Sequence, residues 1–358
     1  MRRMIAAVGA GALLAGLCVW SGAAAEAVRA AGERCLCGLV PALFLYTMLA
    51  AACTKSGLIA SLSRTVRGRL AVVLVVSQLA GYPVGAQMLT EMAAAGDISR
   101  EEKRRSLGIC IGCGPGFLLG TVCRGMSWQA ITLMILSVSL PNAVMMLAAW
   151  HRLPRQRLSR TTPHLDARTL TGSVDAAAAA MVKITAMIVA FAGVGALLEE
   201  SGLVAAVCAV LPVDTEQGTA CLRAIWEVSN VAGYLEDGGG LPGAAALLAF
   251  GGVCVHLQTA SIAGEMPWLR FWGCRILAAA GAWVICRTGM GFLPTVPAFS
   301  ASMPSVSVTC DPMPSVCLML MAVILLLDRR MDRTAQKSPC TQRTAVLKKK
   351  HNNTKNAP

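Results

Sequence analysis

The sequence predicts an all-α, polytopic membrane protein of about eight transmembrane helices, arranged as two inverted repeats that each carry a re-entrant hairpin. Three observations predict it. Of 358 residues, 55% are hydrophobic and only 14% charged, with a mean hydropathy of +0.60, which is more apolar surface than one soluble core could hide. The basic residues behind the net charge of +13 gather in short loops and in the tail, a positive-inside pattern and not a nucleic-acid footprint. Apolar segments are also broken in the middle, at Gly81-Tyr-Pro83 and over Gly112 to Gly116. Lipid cannot satisfy a freed N–H or C=O, so such breaks survive only where protein or a water-filled cavity surrounds them.

A bilayer core takes about 20 apolar residues per helix. Crossings are expected over residues 4–22, 37–53, 106–123, 128–150, 174–198, 241–263, 269–290 and 315–327. The first also reads as a signal peptide, with Ser21-Gly-Ala-Ala-Ala25 as a small-residue cleavage site; residue 26 is outside on either reading. Loop 54–69 holds Lys55, Arg64, Arg67 and Arg69 without an acid, and loop 151–169 holds Arg152, Arg155, Arg157, Arg160 and Arg168. Both are expected to be cytoplasmic. An even number of crossings must separate them, yet three apolar segments intervene. The interrupted one, 70–92, is therefore the re-entrant hairpin.

Residues 199–240 carry seven acids against Arg223 alone and are placed outside. The tail after residue 327 is basic and is placed inside with the N-terminus. The two halves share a Ser-Gly-Leu-aliphatic-Ala match, at Ser56 to Ala60 and Ser201 to Ala205, offset by 145 residues and on opposite faces of the charge map. The chain then divides into an N-terminal helix or signal anchor (1–24), a first repeat (36–150), a basic loop (151–172), a second repeat (173–291), an outside loop with the last helix (292–328) and a basic tail (329–358). The tail is expected to be disordered and to touch anionic lipid.

Polar groups in hydrocarbon are costly and tend to be functional, so Gln78, Tyr82 and Gln87, beside Gly81 and Pro83, are expected to bind a solute; the plain alternative is a capped turn. Gly112, Gly114 and Pro115 should unwind a helix and present carbonyls and a helix N-terminus. Cys110 and Cys113 form a CxxC, read here as small buried hydrophobes with reduced thiols, so no metal and no cofactor is expected. In the second half Gly251 and Gly252 adjoin His256, Gln258, Thr259 and Ser261, a candidate for substrate or proton contact. Glu227 and Asn230 fall in the second hairpin; a carboxylate at the bilayer centre costs about 2.5 to 3.5 kcal/mol, so Glu227 is either near the outer surface or a coupling-ion or substrate group. Lys183 is expected to snorkel. There is no P-loop, GxSxG or HExxH, and no enzyme is predicted.

At Ala80-Gly-Tyr-Pro-Val-Gly-Ala86, Gly114-Pro-Gly-Phe-Leu-Leu-Gly-Thr-Val122 and Phe250-Gly-Gly-Val-Cys-Val-His-Leu-Gln258, the chain resembles the nucleoside-recognition (Gate) domain family, in its YlbJ/SpoVV-like branch of sporulation integral membrane proteins. The resemblance runs from about residue 36 to residue 290 and implies a fold similar to concentrative nucleoside transporters. It also implies a secondary transporter of a small organic solute, exporting dipicolinate across the outer forespore membrane during sporulation. The chain departs from the family at Ile111, Gly112 and Cys113, where relatives tend to have polar Asn or Thr, which leaves the cargo open. The alternatives are a nucleoside-type solute transporter and a non-transporting membrane scaffold in spore or envelope assembly. Expected partners are an anionic small molecule, the lipid bilayer, H+ or Na+ as coupling ion, and further copies of the chain, with no nucleic acid.

Overall fold

The computed structural model describes residues 2–154, 156, 162–210, 214–292, 316, 319 and 320. Among them the chain is almost wholly helical and contains no strand. The helices are α1 (Arg2–Val19), α2 (Ser21–Lys55), α3 (Val66–Ala80), α4 (Tyr82–Ala94), α5 (Arg100–Ser106), α6 (Trp128–Ala149), α7 (Ala167–Glu200), α8 (Leu203–Val210), α9 (Thr215–Trp226), α10 (Val231–Glu236), α11 (Leu241–Phe250), α12 (Gly252–Ala263) and α13 (Trp268–Gly289), with shorter turns between them. Among the described residues, five stretches are long and apolar enough to cross a membrane: α2, Trp128–Arg152, α7, Leu241–Ala263 and Trp268–Phe292. The protein is therefore compatible with a bilayer as its surroundings.

α7 packs along α2, α13 packs on α6 and α11, and α4 packs on α12. The interrupted segment folds back on itself. Arg69, buried at the start of α3, pairs at 2.6 Å with Asp97, just beyond α4, so the two arms run antiparallel with their tip at Gly81. Thr65 caps α3 by accepting from the Gly68 N–H at 3.2 Å, and a Ser99–Glu102 capping box starts α5. Lys55 donates to the Gly172 carbonyl at 2.5 Å, Arg67 to Leu153 at 2.5 Å and Lys103 to Ala263 at 2.9 Å. The hairpin thus opens at the end of the bundle where these basic residues collect.

Several sequence-level boundaries are corrected. The expected crossing at 37–53 begins much earlier: Ser21–Arg34 is Ala-rich, carries the i,i+4 pair Arg29–Glu33 at 3.6 Å, and runs on through a π-turn at Cys35–Leu39 into the rest of α2. High intrinsic helix propensity decides this segment. Residues 106–123 are not one helix, because α5 ends at Ser106, residues 107–114 are turns and unwound chain, and helical structure resumes in the turns Pro115–Phe117 and Leu118–Val122. Cys37 is disulfide-bonded, against the expectation of reduced thiols throughout. The expected crossing at 315–327 lies mostly outside the described residues, and the tail entirely.

The two Ser-Gly-Leu turns have one geometry. Ser56 and Ser201 end α2 and α7 at φ −70°, ψ −9° and φ −69°, ψ −7°. Gly57 and Gly202 follow at φ 74° and 75°, a left-handed conformation that glycine adopts without penalty.

Candidate functional site

Gly81 has φ 99° and ψ 177°, a region essentially restricted to glycine, and Pro83 then sits in the first turn of α4, where its missing N–H costs nothing. The unwound stretch of the next segment lies directly on this tip. A Cβ at Gly112 would fall on the Gln78 amide, and one at Gly114 would lie 2.9 Å from the Gly81 nitrogen. Only bare backbone allows that approach.

The second half also holds two breaks in contact. α9 ends at Trp226, Glu227 is extended (φ −142°, ψ 116°), and Val228–Asn230 resumes as a 3-10 turn. Its neighbour breaks between α11 and α12 at Gly251 (φ 92°) and Gly252 (φ 70°). A Cβ at Gly252 would lie 3.1 Å from the Val228 nitrogen. Each hairpin tip therefore rests on the glycine of the following break in its own half.

Three of these breaks, and α12 just beyond the fourth, border one cavity of about 40 Å3. Gly81, Tyr82 and Pro83 line it from the first tip, Gly114 and Phe117 from the unwound segment, Glu227, Val228 and Ser229 from the second tip, and Val255 and Gln258 from α12. Leu39 and Leu43 of α2 and Ile184 and Ile188 of α7 close the sides. Glu227, only 2% exposed, accepts from the Ser229 N–H at 3.0 Å and from the Ser229 hydroxyl. The space is too small for an organic solute, which fits only if the tips separate.

The carbonyls freed at the α11 break are fully accounted for, as buried backbone groups must be. Leu247 accepts from Gly251 N–H at 3.0 Å, Leu248 from the Tyr82 hydroxyl at 2.8 Å, Ala249 from Arg275 Nη1 at 3.1 Å and Phe250 from His256 Nε2 at 2.9 Å. Arg275, fully buried on α13, also donates to the Ile111 carbonyl at 3.0 Å and to Asn142 Oδ1 at 2.5 Å. Asn142 Nδ2 in turn reaches the Ile111 carbonyl at 3.2 Å and Gln78 Oε1 at 3.4 Å. One guanidinium thus holds a carbonyl of the unwound stretch in the first half and a carbonyl at the electronegative C-terminal end of α11 in the second.

Of the sequence candidates, Gly81, Tyr82, Pro83, Gly114, Glu227 and Gln258 line the cavity. Gln78, Gly112, Pro115, Gly251 and Gly252 build the breaks around it; Gly251 lies 3.4 Å, as a Cβ would, from the Tyr82 ring. The others point elsewhere. His256 is enclosed by the Phe250 and Phe271 rings, at 4.7 and 5.0 Å. Gln87 bonds Glu91 one turn along α4 at 3.1 Å, and Ser261 bonds the Gln258 carbonyl at 2.7 Å from an exposed position. Asn230 bonds the Arg223 carbonyl at 3.2 Å and lines a separate open groove of about 420 Å3 with Arg34 and Trp226. Sequence reasoning missed Arg275 and Asn142, although an arginine inside an apolar span was the available signal.

Comparison with protein-family models, with curated proteins and with solved structures finds no match to this chain.

Proposed function

We propose that the protein is a multi-pass secondary transporter that moves a small organic solute by alternating access. The carrying observation is that the breaks at Gly81, Gly114 and Glu227, with α12 just beyond the break at Gly251, meet around one small cavity between α2 and α7. Discontinuous helices meeting at mid-depth are the usual architecture of solute sites in secondary transporters. The matching Ser-Gly-Leu geometry at Gly57 and Gly202, and the seating of each tip on its own following glycine, support two inverted repeats within an eight-crossing topology with both termini cytoplasmic.

The site residues in this reading are those lining the cavity, with the Arg275–Asn142–Gln78 network as the frame. The resemblance of the sequence to Gate-domain proteins supports dipicolinate as cargo, moved across the outer forespore membrane, with a nucleoside as the alternative. An H+ or Na+ gradient would supply the driving force. The test is counterflow of radiolabelled dipicolinate and uridine in proteoliposomes. The reading expects one of the two to exchange, and exchange to be lost on Gly114→Ala; a folded protein that exchanges neither would contradict it.

A further inference from the structure

Glu227 is a buried carboxylate lining the cavity, and both of its oxygens are held by one residue, Ser229. The ionisable groups that act on it electrostatically are Arg34 and Cys35 on α2, Tyr82 on α4 and Cys254 on α12. Of these Arg34 is the cation, and it is exposed and lines the open groove beyond the tip. α7 presents Ile184 and Ile188 to the cavity. Trp226 and Asn230 line that groove while Glu227, between them in sequence, lines the cavity. The carboxylate therefore lies at the partition between the two spaces.

The polarity of the surroundings selects the ligand. The N-terminal turns of α4 and α12, helices of 13 and 12 residues, border the cavity at Tyr82, Pro83 and Val255, and helix N-termini favour negative charge. The carbonyls that a metal cation would need are engaged elsewhere: Leu248, Ala249, Phe250 and Ile111 accept from Tyr82, Arg275, His256 and Asn142. Gln258 points independently to a polar occupant. It is 4% exposed and lines the cavity. Its amide makes one side-chain hydrogen bond among the described residues, from Nε2 to the Cys254 sulfur at 3.3 Å.

Resting on the transport reading above, we propose that Glu227 is a proton-binding site and that the cargo is an organic anion carried together with that proton. Ionised Glu227 supplies the negative charge that the half-helix ends favour and repels a second one. Taking up a proton converts its carboxylate to a neutral carboxyl, and the same helix ends then attract the carboxylate of a solute. Proton and anion bind cooperatively and cross together, one proton per anion at this site.

The test is equilibrium binding of radiolabelled dipicolinate and of uridine to the full chain in nanodiscs between pH 6 and 8, for the wild type and Glu227→Gln. The wild type is expected to bind dipicolinate about tenfold more weakly for each pH unit above the pKa of Glu227. Glu227→Gln should bind tightly with no pH slope. Binding heats of the wild type in two buffers of different ionisation enthalpy, which need no variant, should show uptake of about one proton per anion. A flat wild-type profile, an equal slope in Glu227→Gln, or no proton uptake overturns the proposal. So does Na+-dependent binding at fixed pH that the variant abolishes. Binding of uridine without dipicolinate overturns the anion while leaving the transport reading intact; binding of neither removes both.

Discussion

The Tyr82 hydroxyl donates a 2.8 Å hydrogen bond to the carbonyl of Leu248, 166 residues further along the chain. It joins the tip of the first hairpin to the broken helix of the second half. Tyr82→Phe removes the donor and leaves a buried carbonyl without a partner, which costs about 1 to 3 kcal/mol. Thermal unfolding in detergent should show a lower Tm with the helical content unchanged; an unaltered Tm would show that another donor replaces the tyrosine.

Arg275 and Asn142 should behave as one unit. Both are fully buried, and they share the Ile111 carbonyl as well as a direct bond. Removing one member of a buried charged network costs about 3 to 5 kcal/mol. Arg275→Met, Asn142→Leu and the double variant, compared by denaturation, should give a coupling energy above about 1 kcal/mol. Additive effects would mean that the two residues act independently.

Glycine at position 85 is required for a different reason from that at 81. A Cβ there would overlap the Cys110 carbonyl, because α4 lies against the unwound stretch with no side chain between. Gly85→Ala should abolish folded protein, as judged by size-exclusion profile. Gly233→Ala in α10 meets nothing within 4 Å and should be neutral or stabilising by up to about 1 kcal/mol.

Asp97→Asn weakens the 2.6 Å pair with Arg69 that fastens the open end of the first hairpin. Asp97 is one-third exposed, so solvent screening limits the loss to about 1 kcal/mol. Hydrogen exchange should accelerate in the outer turns of α3 and α4 and stay unchanged at Gly81. Uniform acceleration would mean that the hairpin opens only with the whole fold.

How much of this was legible in the sequence depended on which physical signal a residue carried. Gly81, Gly114, Gly251 and Gly252 were found because glycine and proline inside apolar runs break helices whatever their surroundings. Charge bookkeeping placed the mouth of the hairpin beside the basic loops, and Arg67, Arg69 and Lys103 do gather there. Partners at long range carry no such local mark. His256 and Tyr82 look alike in sequence as polar residues beside a break, yet His256 spends its Nε2–H on a carbonyl six residues back, whereas Tyr82 reaches across the molecule. Asn142, beside Pro141 on α6, and Arg275 on α13 become a network only once the two halves are packed. The helix over Ser21–Arg34 follows from its alanines, a propensity signal that a search for apolar spans passes over.

The central claim is that the cavity opens alternately to the two sides of the membrane. Val255, 4% exposed and lining the cavity, is a suitable reporter as Val255→Cys. The variant should be treated with a membrane-impermeant thiol reagent in right-side-out and in inside-out vesicles, and modification at residue 255 read by mass spectrometry. Alternating access requires labelling from both sides, slowed from both by transported solute. Labelling from one side alone, or none from either, would contradict it.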